Sequence, residues 1–134
     1  MFNGGDITEI SCKHPTLGSF VFFPKSAEDF TLDPGGYMNS DDANMITGNG
    51  QIIRQKNRKV WSMEGVVAWD MDTNQTVHQV QQLANSPVEA EWIFTHINGT
   101  IWGGKGAPVG DIQGNTNTAQ ITLKVNGGGE LKTL

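Results

Sequence analysis

Ala119-Gln-Ile-Thr-Leu-Lys-Val-Asn126 sets Ala119, Ile121, Leu123 and Val125 in alternation with Gln120, Thr122, Lys124 and Asn126. A period of two is the pattern of a strand with one face in a core and the other in water or against a partner. Upstream, Glu91-Trp-Ile-Phe-Thr-His-Ile97 and Thr100-Ile-Trp102 flank Asn98-Gly99. Asn-Gly between apolar runs predicts a hairpin, with both residues at positive φ in a type I′ turn. The last third of the chain thus reads as strands and glycine turns without catalytic apparatus. That is the pattern of a structural building block rather than an enzyme.

Working outward, Val88–Ile97 reads as a strand with Val88, Ala90, Trp92 and Phe94 on one face and Glu89, Glu91, Ile93, Thr95 and Ile97 on the other. Val60–Trp69 reads likewise: Trp61, Met63, Val67 and Trp69 form the core face, and Ser62, Glu64, Val66 and Ala68 the opposite one. Gly65 marks a bulge or a close backbone approach. Gln51–Lys56 is a further strand, joined to it near Asn57-Arg58-Lys59. Ile7–Cys12 reads as a first strand, and Phe20–Phe23, ended by Pro24, as a short buried one. One helix is predicted, over about residues 73–85. Asp72 caps it with Gln75 as capping-box partner, Val77, Val80, Leu83 and Ala84 form its stripe, and Pro87 stops it. Residues 33–50 are rich in turn formers and read as a long extended loop, a length that tends to be functional or to order on a partner. Tyr37, Met38, Asp41, Asp42, Asn44, Met45 and Ile46 are its candidate assembly residues.

The chain has 134 residues, enough for one domain, and 17 glycines, which suggest turns at short intervals and a β-rich fold. A net charge of −5 argues against a protein that grips phosphate. The single cysteine, Cys12, excludes an internal disulfide framework. No apolar run is long enough for a transmembrane helix, and the N-terminus has no signal-peptide pattern, so synthesis in the cytoplasm is expected. The sequons Asn74-Gln75-Thr76 and Asn98-Gly99-Thr100 then carry no meaning.

Chemical motifs fail at their demanding positions. Cys12 and His14 lack a second pair of metal ligands. Asp70-Met-Asp72-Thr-Asn74 opens like a calcium loop but has Gln75 in place of glycine and Gln81 in place of glutamate. Gly99-Thr-Ile-Trp-Gly-Gly104-Lys105 nearly spells a phosphate loop, yet Gly106 replaces the hydroxyl residue and Pro108 falls where a helix should start. These glycines read as turns and points of close backbone packing. No catalytic residue, metal or cofactor is expected.

Several blocks together resemble the tail tube protein of contractile-tailed bacteriophages: Gly35-Gly36-Tyr37, Asp41-Asp42-Ala43-Asn44, Gly48-Asn49-Gly50, Trp69-Asp70-Met71, Ser86-Pro87-Val88-Glu89-Ala90 and Gly103-Gly104-Lys105-Gly106-Ala107-Pro108-Val109-Gly110-Asp111. The resemblance covers nearly the whole chain, residues 1–134 as a single tail-tube domain. It implies a mainly β fold, an antiparallel β-sandwich or barrel-like domain with one helix. Six copies would close a ring whose strands join an inter-subunit β-barrel. Rings would stack into a tube inside a contractile sheath, in the virion tail, and viral double-stranded DNA would pass down the bore without specific binding. The implied partners are further copies of the chain, the tail sheath protein, the tape-measure protein and a baseplate tube-initiator. A wall that passes DNA should be neutral or acidic. Glu64, Glu89 and Glu91 are the candidate lumen-facing residues, each opposite an apolar strand face, while Arg54, Lys56 and Arg58 run against that account. Alternative readings are a baseplate tube-initiator, a secretion-system tube subunit of the same fold, and a small β-sandwich binding module.

Overall fold

The computed structural model describes residues 2–40, 44–73 and 75–134. In chain order the elements are β1 (Ile7–His14), β2 (Gly18–Phe22), β3 (Thr31–Asp33), β4 (Gly36–Asn39), β5 (Met45–Ile46), β6 (Ile52–Ile53), β7 (Lys56–Lys59) and β8 (Trp61–Ala68). Then come α1 (Thr76–Asn85), β9 (Ala90–His96), β10 (Ile101–Pro108), β11 (Gly114–Asn115), β12 (Gln120–Gly127) and β13 (Lys132–Thr133). The pairings are antiparallel. One layer runs β2-β1-β9-β10 with β13 on its edge, and the other runs β3-β8-β12 with β11 beside β12.

The layers share a strand. Ile101–Gly106 of β10 pairs with β9, and Ala107 and Pro108 pair with Asn126 and Val125 of β12. At the far corner the chain leaving β2 crosses onto the edge of β8: Phe23 O accepts from Ala68 N at 2.8 Å, and Lys25 N donates to Val66 O at 3.1 Å. The sheet therefore curls into a sandwich linked at both corners, without closing as a barrel.

Alternation explains which side chains fill it. Trp61, Met63 and Val67 of β8 and Ile121, Leu123 and Val125 of β12 are buried, as are Ile10 and Cys12 of β1 and Ala90, Trp92 and Phe94 of β9. Trp61 meets Phe94 edge-on at 6.2 Å, while Phe22 and Phe94 stack on Trp92 at 6.0 and 6.4 Å. Aromatic pairs of this kind add about 0.5–1.5 kcal/mol beyond the area they bury. Both buried indoles also hold β10 where it changes layer. Trp92 Nε1 donates to Gly106 O at 3.0 Å and Trp61 Nε1 to Lys105 O at 3.3 Å.

The structure corrects several local expectations. The Asn98-Gly99 hairpin exists, but only Gly99 has positive φ. His96 N donates to Thr100 O and Gly99 N to His96 O, a three-residue loop ending in a left-handed glycine rather than a type I′ turn. Ala119 lies in the left-handed region just before β12, and Val88 is exposed ahead of β9. β2 is an edge strand with Phe22 buried and Val21 and Phe23 exposed. Residues 57–59 belong to strand β7 and do not form a turn. The helix begins at Thr76 with Gln75 left-handed and no side-chain cap, so the capping box does not form. Asp70 instead accepts from the amides of Asp72 and Thr73 and orders the preceding turn. Gly65 is neither a bulge nor a backbone contact: the Phe30 ring lies over it, where a Cβ would sit 2.5 Å from ring carbons. The glycines of 103–106 lie within β10, not in turns.

Candidate functional site

Residues 33–50 are not the extended loop expected. With the chain returning through residue 59, the described residues from Gly36 onward form a two-stranded arm. β4 pairs with β7 (Tyr37↔Arg58, Met38↔Asn57, Asn39↔Lys56), and β5 pairs with β6 (Met45↔Ile53, Ile46↔Ile52). Ser40 N donates to Gln55 O at 2.7 Å and Gln55 N to Asn44 Oδ1 at 2.9 Å, joining the two ladders. At the tip, Thr47 N donates to Gln51 O and Gly50 N to Thr47 O, the same loop geometry as at 96–100. Asp41 and Asp42 lie outside the described residues.

The root of the arm is fastened. Asp33 Oδ1 accepts from Gly35 N and from Lys59 Nζ, each at 3.0 Å. The Gly35 amide and then Lys59 hold the Asp33 carboxyl below its ordinary range. Gly35 has φ +74°, and a Cβ there would sit 2.6 Å from the Trp61 amide nitrogen, so the chain can turn off the body only at glycine. Gly36 N donates to Gly129 O and Leu131 N to Pro34 O, pinning the root to the C-terminal segment.

Beyond the root the arm packs on nothing among the described residues that hides its apolar side chains. Met45, Ile46, Ile52 and Ile53 are 68, 71, 55 and 50% exposed. Partners in register share a face, so Met45 with Ile53 and Ile46 with Ile52 make both faces of the tip apolar. Isolated two-stranded ribbons are marginally stable in water, and a ribbon apolar on both faces is built to be covered. Tyr37, Met38, Asn44, Met45 and Ile46 thus come together on the arm. Ile52 and Ile53 belong to the same exposed apolar surface, and the sequence reading does not include them in it. Their signal was present: Asn49-Gly50 stands between Met45-Ile46 and Ile52-Ile53 as Asn98-Gly99 does between its strands.

The three acidic candidates do not come together. Glu89 and Glu91 lie on the outer side of the β1-β9-β10 layer, where Glu91 is in register with Lys13 and Lys105. Glu64 lies on the outer side of the other layer, opposite Lys124 and Thr31. Trp61 and Phe94 meet between the layers, so the two outer faces point away from each other. One wall cannot carry all three.

Groups with chemical potential are structural in this setting. His14 is buried; the Thr16 and Leu17 amides donate to its Nδ1 at 3.1 and 3.0 Å. The hydrogen therefore sits on Nε2, which donates to Ser86 Oγ at 2.7 Å and ties the β1–β2 turn to the end of α1. Trp102 packs partly buried against the core, edge-on to His96 at 6.1 Å. Burial pushes the Cys12 thiol up to about 12. At pH 8 it stays protonated, so iodoacetamide should leave the native chain unlabelled over a time that fully labels the chain in denaturant, as read by intact mass. Among the described residues no group of three or more His, Cys, Asp or Glu is placed to hold a metal, and no helix is long and apolar enough to cross a membrane.

No protein-family model and no curated protein sequence matches the chain. Among solved structures it is similar to a chain from the tail of an empty GTA particle, computed with helical refinement and C6 symmetry. The TM-score is 0.60 at 16% identity, over 100% of this chain and 99% of that one. The chain thus shares the fold of that tail chain, a mainly β sandwich with one helix among the described residues, the fold class that the resemblance read from the sequence implies.

Proposed function

We propose that the chain is the structural subunit of a phage tail tube, without catalytic activity. Six copies close a ring, rings stack into the inner tube of a contractile tail, and the bore conducts viral DNA during ejection. The observation that carries this reading is the arm: a fastened, two-sided apolar ribbon that has no cover among the described residues of its own chain. The similar chain comes from a tail with C6 symmetry, which supports a ring of six. The free edges of β2 and β3 support closure between copies, since exposed strand edges are a liability that barrel formation removes. In the tail the tube would contact the sheath outside, the tape-measure protein inside and the tube-initiator at the baseplate. The lining of the bore comes from one outer face only, so Glu64 and the pair Glu89 and Glu91 are alternatives rather than companions. Negative-stain electron microscopy with native mass spectrometry tests the reading: hexameric rings and tubes are expected, and a monomer at every concentration reached would overturn it.

A further inference from the structure

The arm and the body carry opposite charge. Arg54, Lys56, Arg58 and Lys59 are four of the chain's nine basic residues and fall within six positions of the arm. Against Asp41 and Asp42 they leave residues 36–59 at a net +2, whereas the remaining twelve acidic and five basic residues leave the body at −7. Among the described residues Lys59 alone of the four makes an ion pair, with Asp33 at the root. Arg58 is held outward by Tyr37: its Nε donates to Tyr37 Oη at 3.1 Å and its guanidinium lies 5.4 Å over the ring. Lys56, Arg58, Tyr37 and Asn39 share one face of the β4–β7 ladder, so the cations form a row on that face.

An apolar ribbon has three covers available from copies of its own chain: its own body, another arm, or the body of another copy. Among the described residues its own body does not cover it. A second arm laid alongside brings like charge onto like, which costs stability and is a known guard against edge-to-edge pairing. The body of another copy offers the opposite sign. Resting on the tube-subunit reading, we infer that charge directs the arm of one copy onto the acidic body of a second copy, and that this sign rule makes the contact heterologous. A heterologous contact propagates into a stack; an arm-to-arm contact would be isologous and would end at a dimer.

Salt discriminates the two, because screening weakens attraction and relieves repulsion. Raising salt from about 0.1 M to about 1 M shortens the screening length from about 10 Å to about 3 Å. Tube growth by the wild-type chain, followed by light scattering, should then need roughly tenfold more protein, since each exposed pair contributes a factor of about two to five. Arm contacts strengthened or unchanged by salt would overturn the inference. The variant Arg54→Glu, Lys56→Glu, Arg58→Glu changes only exposed residues; it should keep the far-ultraviolet circular dichroism of the wild type and lose stacking at low salt by a similar factor. If shortening the arm stops stacking while this variant stacks normally, charge has no role and the tube-subunit reading stands. If the shortened chain stacks normally, both the inference and the role of the arm fall.

Discussion

Gly106→Val should cost more than about 4 kcal/mol of stability, while Gly103→Ala, three residues earlier on the same strand, should cost within about 1 kcal/mol. The difference lies in what each new side chain meets. A Cβ at Gly106 falls inside contact distance of the Asn126 carbonyl and 2.8 Å from Trp61 Cζ2, with Gly127 facing it across the junction. Backbone and a fully buried indole cannot step aside, and the Gly106 carbonyl that receives Trp92 Nε1 would move with the strand. Overpacking typically costs about 1–3 kcal/mol where side chains can adjust, and here the two layers would have to part as well. A penalty above about 4 kcal/mol is expected, a large share of a small domain's stability. At Gly103 the Cβ meets Leu134 Cδ1 at 2.8 Å, the end of an exposed side chain that can rotate away. Thermal unfolding by circular dichroism of the two variants measures the contrast; equal effects would mean that the junction yields more easily than its contacts imply.

Joining Asn39 to Lys56 through an Asn-Gly turn, with residues 40–55 removed, should abolish tube growth and leave the body folded. Asn39 and Lys56 are partners in register, so a two-residue turn closes the shortened ribbon without strain. Among the described residues none of the fully buried side chains lies in the deleted segment, and the melting temperature should stay within a few degrees of the wild type. Rings should still form, because the free edges of β2 and β3 remain. Electron micrographs of the variant should show single rings and no tubes; tubes of normal length would remove the arm from the stacking contact.

The sandwich was legible where burial is one-sided. In β8, β9 and β12 alternate side chains enter the core, and hydropathy alternation alone names Trp61, Met63, Val67, Ala90, Trp92, Phe94, Ile121, Leu123 and Val125. The arm was not legible by that route, because a ribbon exposed on both faces has no alternation to read. Met45, Ile46, Ile52 and Ile53 look irregular for that reason, and only the Asn49-Gly50 turn betrays the pairing. The helix start was misjudged because Asp70, two residues before the expected cap, took the turn amides. The separation of Glu64 from Glu89 and Glu91 was hidden from the sequence for a different reason. Alternation tells which residues face outward from a sheet, but not which of two opposed sheets carries them.

β10 belongs to both layers, and that has a mechanical meaning. In a sandwich whose halves meet only through side chains, a load along one sheet can slide it past the other at the cost of breaking van der Waals contacts. Here the peptide chain itself passes from one layer to the other at Gly106–Ala107, clamped by Trp61 and Trp92. Shear between the layers must therefore pull on covalent bonds and on two indole hydrogen bonds at once, so the body bears a load as a single strut.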